Sequence, residues 1–296
     1  MVGRESLGSR LFDLVNIFIM LLLCVIMLYP FLNVIAVSLS NTEHILKGDI
    51  TIFPKGFNLS AYSYVLKDSF LYSGYLHSII YAVGSTAFML TFTSLMAYPL
   101  IIPGFMGKKF LSVFLVITMF FGGGLIPTYL LMRNLHLLDT YWVMVIPGCV
   151  SAFNVFMFRS FYQSIPSDLR ESAVIDGAND IQILFKIYLP LSKPLLATFA
   201  LFGIVGSWNS WFEALIYLSD ENKYPLQLIL RKYLFTMSFD SGTGTAAMQA
   251  MLMQMKIDPR NIQMAIVVIA MFPIMIIYPF LQKYFVKGVM IGAIKG

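Results

Sequence analysis

Charged side chains are scarce in this 296-residue chain, where Asp, Glu, Lys and Arg together make up only 12% of the residues. A soluble domain usually carries about 25% charged and about 45–50% apolar residues, whereas the apolar share here is 58%. So few charges cannot cover a water-exposed surface of this size. The composition therefore excludes an ordinary soluble enzyme, a disordered chain and a disulfide-rich secreted scaffold, and it indicates a membrane protein with several spans.

Cysteine and histidine are also few. Cys24 and Cys149 each lie in an apolar run, which is typical of small core residues. The three histidines, at positions 44, 77 and 136, share no ligand spacing. The sequence therefore predicts neither a disulfide nor a metal site. The net charge of +5 is typical of basic cytoplasmic loops, so no nucleic-acid partner is expected.

A phosphate-binding loop is absent as well. Such a loop needs the pattern G-x-x-x-x-G-K-[ST], and the stretch from Gly104 to Lys108 has the wrong glycine spacing. No lysine follows the glycines at 122–124 or those at 242 and 244. The chain is therefore predicted not to be an enzyme, to hold no cofactor and to rely on another subunit for any ATP hydrolysis.

Six apolar stretches are long enough to cross a bilayer, which takes about 20 helical residues. They cover residues 11–39, 76–102, 110–131, 141–161, 195–218 and 263–281. The first is longer than the apolar core of a signal peptide, so we expect it to be retained. The short loop after the second span contains Lys108 and Lys109 and no acid, which favours cytoplasmic termini. The predicted fold is all-α, a polytopic transmembrane domain over residues 1–296.

Proline and glycine interrupt the predicted spans repeatedly. The interruptions are Pro99, Pro127, Pro147, Pro273, Pro279 and the glycines at 122–124. Breaks of this kind are tolerated where neighbouring helices or a wet cavity satisfy the freed backbone groups. Two interpretations stay open at this point, namely ordinary kinks in a bundle and a pathway for a solute.

Outer segments at 40–74 and 219–262 and an inner loop at 166–194 connect the spans. The inner loop predicts two short helices on the cytoplasmic face. Ser167 or Asp168 is expected to cap the first helix, with Glu171 completing a capping box on Asp168. Gly177 is expected to end that helix in the left-handed conformation. Asn179 and Gln182 are then expected to cap the second helix.

The second helix of the inner loop is predicted to bury an apolar stripe and to end at Pro190. The stripe consists of Ile181, Leu184, Phe185 and Tyr188, opposite Gln182 and Lys186. Small residues on the first helix, Ser172 and Ala173, would let a partner protein approach closely. The alternative interpretation is an amphipathic hairpin that only anchors the bundle at the membrane surface.

The inner loop also carries the most specific pattern in the chain, Glu171-Ser-Ala-Val-Ile-Asp-Gly-Ala178, followed by Leu189-Pro190 and Pro194. This pattern closely resembles the EAA loop of ATP-binding-cassette (ABC) importer permeases, with Ser172 in place of an alanine. Residues 53–62, 123–129, 208–212 and 287–296 resemble other stretches of the maltose-type carbohydrate permeases. The resemblance covers nearly the whole chain and is strongest for a branch associated with complex saccharides.

The resemblance implies a permease subunit of an ATP-driven, binding-protein-dependent saccharide importer in the bacterial cytoplasmic membrane, working by alternating access. It implies a second, different permease subunit, two copies of an ATPase subunit that hold ATP and Mg2+, and an extracytoplasmic solute-binding protein. The first helix of the inner loop is then a coupling helix held by the ATPase. The implied coupling residues are Arg170, Glu171, Ser172, Ala173, Asp176, Gly177 and Ala178. The tail, with Lys295, is implied to reach the ATPase interface.

A polar and aromatic cluster in the fifth predicted span is the candidate for a sugar path. It consists of Trp208, Asn209, Trp211 and Glu213. Asn209 and Glu213 are four residues apart and are expected to share one helix face. An intramembrane acid is a candidate functional residue, and the alternative interpretation of the same residues is structural packing with an aromatic belt. The resemblance further implies that the outer segment 219–262, with its methionines at 248–255, meets the binding protein, although these methionines also suit a local core.

Two other classes of function make different demands on the sequence. An ion-coupled secondary transporter would need charged pairs at the middle of the membrane, and Glu213 is the one candidate charge there. An intramembrane enzyme would need a paired nucleophile and base, or a metal cluster, within the spans, and the sequence shows neither.

Overall fold

The computed structural model describes residues 7–238 and 257–293, which are helical apart from turns and short connections and contain no strand. The prediction of an all-α chain is therefore confirmed for these residues. The helices of the described part are α1 (Leu7–Ser38), α2 (Thr42–Lys47), α3 (Ser60–Val65), α4 (Ser69–Ala97), α5 (Lys108–Phe120), α6 (Leu125–Asn134), α7 (Trp142–Val145), α8 (Ala152–Gln163), α9 (Ser167–Ile175), α10 (Asp180–Ile183), α11 (Leu189–Leu191), α12 (Lys193–Trp208), α13 (Phe212–Tyr217), α14 (Leu226–Ser238) and α15 (Pro259–Ala293). Short 3-10 turns lie at Pro99–Ile101 and Glu221–Lys223, and Leu184–Tyr188 forms a π-helix.

Three helices of the described residues are long and apolar enough to cross a bilayer unaided. They are Gly8–Ser38, Ser69–Ile101 and Pro259–Ile276, which correspond to the first, second and sixth predicted spans. A fourth candidate consists of Asp180–Leu191 and Lys193–Trp208, which meet at an angle of 81°.

Each of the other predicted spans is divided between two shorter helices. The stretch 110–131 is divided into α5 and α6, 141–161 into α7 and α8, and 195–218 into α12 and α13. The first two breaks contain the glycines at 122–124 and Pro147-Gly148. The helices are interrupted there because glycine favours irregular backbone and proline removes a helical hydrogen bond. Six membrane crossings stay a prediction.

The chain folds into two compact units, which we call the first unit (Met1–Ser69 with Lys232–Phe272) and the second unit (Phe70–Arg231 with Pro273–Gly296). In the first unit, the buried side-chain amide of Asn261 donates hydrogen bonds to the carbonyls of Val37, Ser38 and Ser40, at 2.8, 3.1 and 3.3 Å. This amide joins the start of α15 to the end of α1. A single transmembrane domain over residues 1–296 stays a prediction.

The second unit has two apolar clusters, which take residues from opposite halves of α4. The loop-side cluster takes residues from the second half of α4, α5, α8, the inner loop and α12; its buried members include Met89, Ala97, Tyr98, Leu115, Val155, Phe158, Tyr162, Ile183, Leu184, Tyr188 and Phe199. The far-side cluster takes residues from the first half of α4, α6, α7, α13 and α14; its buried members include Tyr81, Met132, Val143, Ala214, Tyr217 and Leu228. Each divided span therefore contributes one helix to each cluster, whereas α4 runs unbroken through both.

Candidate functional site

The first helix of the inner loop, α9, begins at Ser167, so this serine lies inside the helix and is not its N-cap. Pro166 is the residue before the helix, and its extended backbone (φ −55°, ψ 131°) lets the helix start directly at Ser167. Ser167 and Asp168 lie inside the first turn and make no capping hydrogen bond to the backbone. The predicted capping box of Asp168 and Glu171 is therefore wrong.

The predicted junction between the two loop helices is confirmed. Gly177 is left-handed with φ +80°, and its N–H donates to the carbonyl of Val174 at 3.0 Å, while that of Ala178 donates to Ala173 at 2.9 Å. These two bonds form a Schellman motif. Asn179 then caps α10 through the N–H of Gln182 at 2.9 Å, and the side chain of Gln182 accepts from the N–H of Asn179 at 3.0 Å.

The predicted apolar stripe of the second loop helix is wrong at two positions. Ile181 and Phe185 are exposed, at 67% and 51%, whereas Ile183 joins Leu184 and Tyr188 in the loop-side cluster. From Leu184 onward, the wider turn of the π-helix at Leu184–Tyr188 changes the regular helical spacing, whereas Ile181 lies before it. The helix also continues past Pro190 to Leu191 and bends at Ser192.

Three of the predicted coupling residues face the chain's own bundle. Ala173 and Ala178 pack against the loop-side cluster, so the close approach that these small residues allow is that of the loop to the bundle. Arg170 donates to Asp180 Oδ1 at 3.4 Å, and the hydroxyl of Tyr98 donates to the same oxygen at 3.2 Å. Burial opposes the charge of Arg170, but Tyr98 and Asp180 outweigh it and raise the pKa of the guanidinium.

The remaining predicted coupling residues face outward. Glu171, Ser172, Asp176 and Gly177 are exposed, and the side chain of Glu171 makes no hydrogen bond or ion pair within the part that the structure describes. Beside them Ile175 is 85% exposed and Val174 is 48% exposed. We call Glu171, Ser172, Val174, Ile175 and Asp176 the coupling surface. Sequence reasoning missed Val174 and Ile175, although two apolar residues in a short polar helix were a visible signal.

The predicted sugar-path cluster does not come together as one site. Helix α12 ends at Trp208, and the segment 209–211 is not helical, so the expectation that Asn209 and Glu213 share a helix face is wrong. The side-chain amide of Asn209 donates to the carbonyl of Val205 at 2.9 Å, which is a local bond at the helix end. Glu213 is exposed and accepts a hydrogen bond from the hydroxyl of Ser210 at 2.6 Å.

The two tryptophans of this region have different surroundings. Trp208 is buried and its ring lies 6.0 Å from that of Tyr75. Trp211 packs against the far-side cluster, and the guanidinium carbon of Arg231 lies 3.3 Å from the centre of its ring. This cation–π contact was not predicted. No local sequence pattern signals this contact.

A polar network, which we call the far-side latch, joins the residues after α13 to the turn before α7. Asp139 Oδ1 accepts hydrogen bonds from the backbone N–H groups of Ser219 and Asp220, at 3.1 and 3.0 Å. Lys223 Nζ donates to the carbonyl of Asp139 at 2.8 Å and lies 3.3 Å from its carboxylate. The pKa of the Asp139 carboxyl is lowered, chiefly by the hydrogen bond from the backbone N–H of Asp220. The backbone N–H of Ser219 and the charge of Lys223 act in the same direction.

Among residues 7–238 and 257–293, no three His, Cys, Asp or Glu side chains lie close enough to hold a metal ion. The ring nitrogens of His77 are used within the fold, because Nδ1 donates to the carbonyl of Ser73 at 2.7 Å and Nε2 accepts from the hydroxyl of Tyr141 at 2.9 Å. Lys295 and the methionines at 248–255 lie outside the described residues.

Comparison with protein families gives one match. Residues 81–291 match the family described as "Binding-protein-dependent transport system inner membrane component". This match covers well over half of the chain and includes all of the inner loop.

Two relatives from Bacillus subtilis (strain 168) align over almost their whole length. Protein LplC is 41% identical over 294 residues, which are 99% of this chain and 98% of the relative. The polygalacturonan/rhamnogalacturonan transport system permease protein YtcP is 39% identical, over 97% of this chain and 99% of the relative.

A solved structure has the same fold. It is described as a bacterial ABC transporter involved in the import of the acidic polysaccharide alginate. One of its chains is 33% identical to this chain and aligns with a TM-score of 0.89 over 96% of this chain and 100% of its own length.

Proposed function

This chain belongs to the family of binding-protein-dependent transport system inner membrane components, and from this membership we propose that it is the permease subunit of an ATP-driven importer of complex saccharides. The proposed substrates are oligosaccharides of acidic sugars, because polygalacturonan and alginate appear in the descriptions of a relative and of the similar structure. An ion-coupled transporter is not favoured by any of these similarities.

The proposed assembly contains a second, different permease, two ATPase subunits and an extracytoplasmic solute-binding protein, in the bacterial cytoplasmic membrane with both termini inside. ATP and Mg2+ would be held by the ATPase subunits. We propose that the chain crosses the membrane six times. Helices α7 and α8, with 4 and 12 residues, give about 24 Å of helix and need the segment between them to complete a crossing, whereas the first divided span is long enough by its helices alone. Helices α5 and α6 contain 13 and 10 residues, which is about 35 Å of helix and exceeds the hydrocarbon thickness of about 30 Å.

The observation that carries the proposal is the coupling surface. An 85% exposed isoleucine on a nine-residue helix, next to exposed Glu171 and Asp176, is typical of a surface that a partner protein covers. The ATPase subunit would make an apolar contact with Ile175, and Glu171 and Asp176 would orient the ATPase on α9. A movement of the ATPase would then be transmitted to α9 through this contact.

The attachment of α9 explains how a pull on this helix would move the spans. Ala173 and Ala178 pack into the loop-side cluster, and Asp180 joins Arg170 to Tyr98 just after α4. Because this cluster also contains residues of α5, α8 and α12, the proposed force reaches four helices at once. This is a route for rigid-body switching between inward and outward opening.

The proposed sugar path keeps the candidates Trp208, Asn209, Trp211 and Glu213, with different supports. Trp211 and Glu213 remain accessible, and the guanidinium of Arg231 on Trp211 adds a positive charge that suits an acidic sugar. Trp208 is buried and Asn209 bonds to its own helix, which supports packing roles for these two.

Reconstitution tests the proposed function. The complex would be purified from its host through a tag on this chain, placed in vesicles with its binding protein, and supplied with ATP and labelled oligogalacturonate. ATP-dependent uptake, together with recovery of an ATPase and a second permease, is the expected result. Recovery of the chain alone, or uptake that follows an ion gradient and ignores ATP, would contradict the proposal.

A further inference from the structure

Two breaks in the second unit lie at the same height. Helices α5 and α8 both contribute to the loop-side cluster, and they contain 13 and 12 residues, or about 20 and 18 Å. Helix α5 begins on the loop side and α8 ends on the loop side. Because the two helices are almost equally long, the end of α5 and the start of α8 lie at about the same distance from the loop side. The non-helical segments at these ends are 121–124 and 146–151, which we call the paired breaks.

The backbone of the paired breaks is largely unbonded within the described chain. Phe121, Ile146 and Cys149 use their N–H groups locally. The N–H groups without a partner among the described residues are those of Gly122, Gly123, Gly124, Gly148, Val150 and Ser151. Both segments are also mostly exposed, so the rest of this chain does not cover them.

Polar side chains beside the second break are unbonded as well. Ser151 directly precedes α8, where a serine usually caps the helix, but its hydroxyl makes no capping bond. The side chain of Asn154, in the first turn of α8, makes no hydrogen bond among the described residues. Two polar side chains without partners at this depth are expensive in a bilayer and indicate a functional surface.

Open space surrounds the glycines of the paired breaks. A Cβ atom added to Gly122 or Gly148 would meet no heavy atom within 4 Å, and neither residue has a positive φ. The fold of this chain therefore does not require glycine at these positions. What the absence of side chains does provide is access to the backbone from outside the chain.

Exposed irregular backbone cannot face lipid, because the hydrocarbon layer offers no partner for its N–H and C=O groups. At about 20 Å from the loop side the paired breaks lie within a hydrocarbon layer of about 30 Å. They therefore face water, a polar ligand or another subunit, and not lipid. A kink that faces lipid is excluded by this argument, and a solute pathway agrees with it.

We propose that the paired breaks form a saccharide subsite in the translocation path, where backbone groups of 122–124 and 148–151 bind sugar hydroxyls together with Ser151 and Asn154. The proposal rests on the proposed function as a saccharide importer. Hydroxyl groups both donate and accept hydrogen bonds, as does unwound backbone, and discontinuous helices bind solutes in other transporters in this way.

The native Cys149 provides the test, since it lies within the second break and is partly accessible. In the full importer carrying Cys24→Ser, Cys149 is labelled with a membrane-impermeant maleimide, with and without oligogalacturonate. Labelling is expected, and a saccharide at about ten times its Kd should slow it about tenfold, because about a tenth of the sites stay free. The control is Phe114→Cys in a chain without other cysteines. Phe114 is exposed on α5 away from the break and should stay unlabelled.

The possible outcomes separate the subsite from the alternatives. Absence of labelling in every nucleotide state would mean that the break is buried against the second permease, and it would overturn the proposal. Labelling that the saccharide does not slow would mean a wet but non-binding surface, and it would overturn the proposal too. If the wild-type importer takes up the saccharide in either case, the proposed function stands and only the subsite fails.

A pair of glycine variants gives a second, independent measurement. Gly148→Val is expected to reduce uptake at least tenfold while the complex still assembles, because the added side chain has room but covers the backbone. Gly206→Val is the matched control, since Gly206 also has no heavy atom within 4 Å and lies in α12, outside the paired breaks. Wild-type uptake by Gly148→Val, or an equal loss in both variants, would contradict the subsite.

Discussion

The two ends of the second unit are held together by different forces. On the far side, Asp139 and Lys223 join separate segments through charged hydrogen bonds, and Tyr81 donates to the carbonyl of Lys223 at 2.9 Å. On the loop side, apolar packing dominates, and α9 leaves Ile175 almost fully exposed. Within the described residues the far side is therefore fastened by charged hydrogen bonds, whereas the loop side leaves an apolar surface on α9 that a further subunit can cover.

The largest effect is expected from a charge on the coupling surface. Ile175→Glu should abolish saccharide uptake, because a carboxylate in an apolar contact is costly to bury, while the fold stays intact since the residue is exposed. Met106→Glu is the matched control. Met106 is 99% exposed, just before α5 at the same end of the unit. Uptake by both variants is measured in vesicles, and equal uptake would remove Ile175 from the coupling surface.

A smaller effect is expected from enlarging the inward face of α9. Ala173→Leu should destabilise the unit by about 1–3 kcal/mol, because the loop-side cluster has no room prepared for a larger side chain. Ser172→Leu, one residue away on the exposed face, should leave the stability unchanged. Thermal unfolding in detergent measures both. Equal midpoints for the two variants would show that α9 has no distinct inward and outward faces.

The far-side latch should weaken in acid. Because the pKa of Asp139 is lowered in the folded chain, its stabilising effect is fully present above the unfolded value of about 3.9 and is lost as the pH falls through the lowered value. Unfolding midpoints of the wild type should therefore decrease below about pH 4, and Asp139→Asn should show less of this decrease. A wild-type curve that coincides with that of Asp139→Asn at every pH would contradict the latch.

The smallest effect is expected at the polar contact of the loop side. Asp180→Asn weakens the bonds from Arg170 and Tyr98, but the Asp180 side chain is 56% exposed, so the loss should be about 0–1 kcal/mol. Uptake should fall slightly while the complex still assembles. A loss as large as that of Ile175→Glu would mean that the loop depends on this polar contact more than on apolar packing.

Local signals in the sequence predicted local structure well. The cap at Asn179 and Gln182 and the left-handed Gly177 depend on neighbours within three or four residues, and both are confirmed. The apolar composition likewise predicted an all-α membrane chain, because the requirement for satisfied backbone groups in lipid leaves few alternatives.

Predictions that depended on an uninterrupted helical spacing were wrong. The stripe at Ile181 and Phe185 and the shared face of Asn209 and Glu213 both assumed regular turns. A π-helix that includes Phe185 and a helix end at Trp208 changed the spacing, and tertiary packing decides such changes. The position of Arg231 over Trp211 also depends on packing between α14 and the residues before α13, which no local pattern reports.

Helix α4 differs from the divided spans that surround it, because its 29 residues continue without a break for about 44 Å. A continuous helix keeps its two ends at a fixed distance, whereas α5, α8 and α12 each adjoin a non-helical break. A displacement applied beside Tyr98 should therefore be transmitted along α4 to the far side of the unit. The divided spans can bend at their breaks instead.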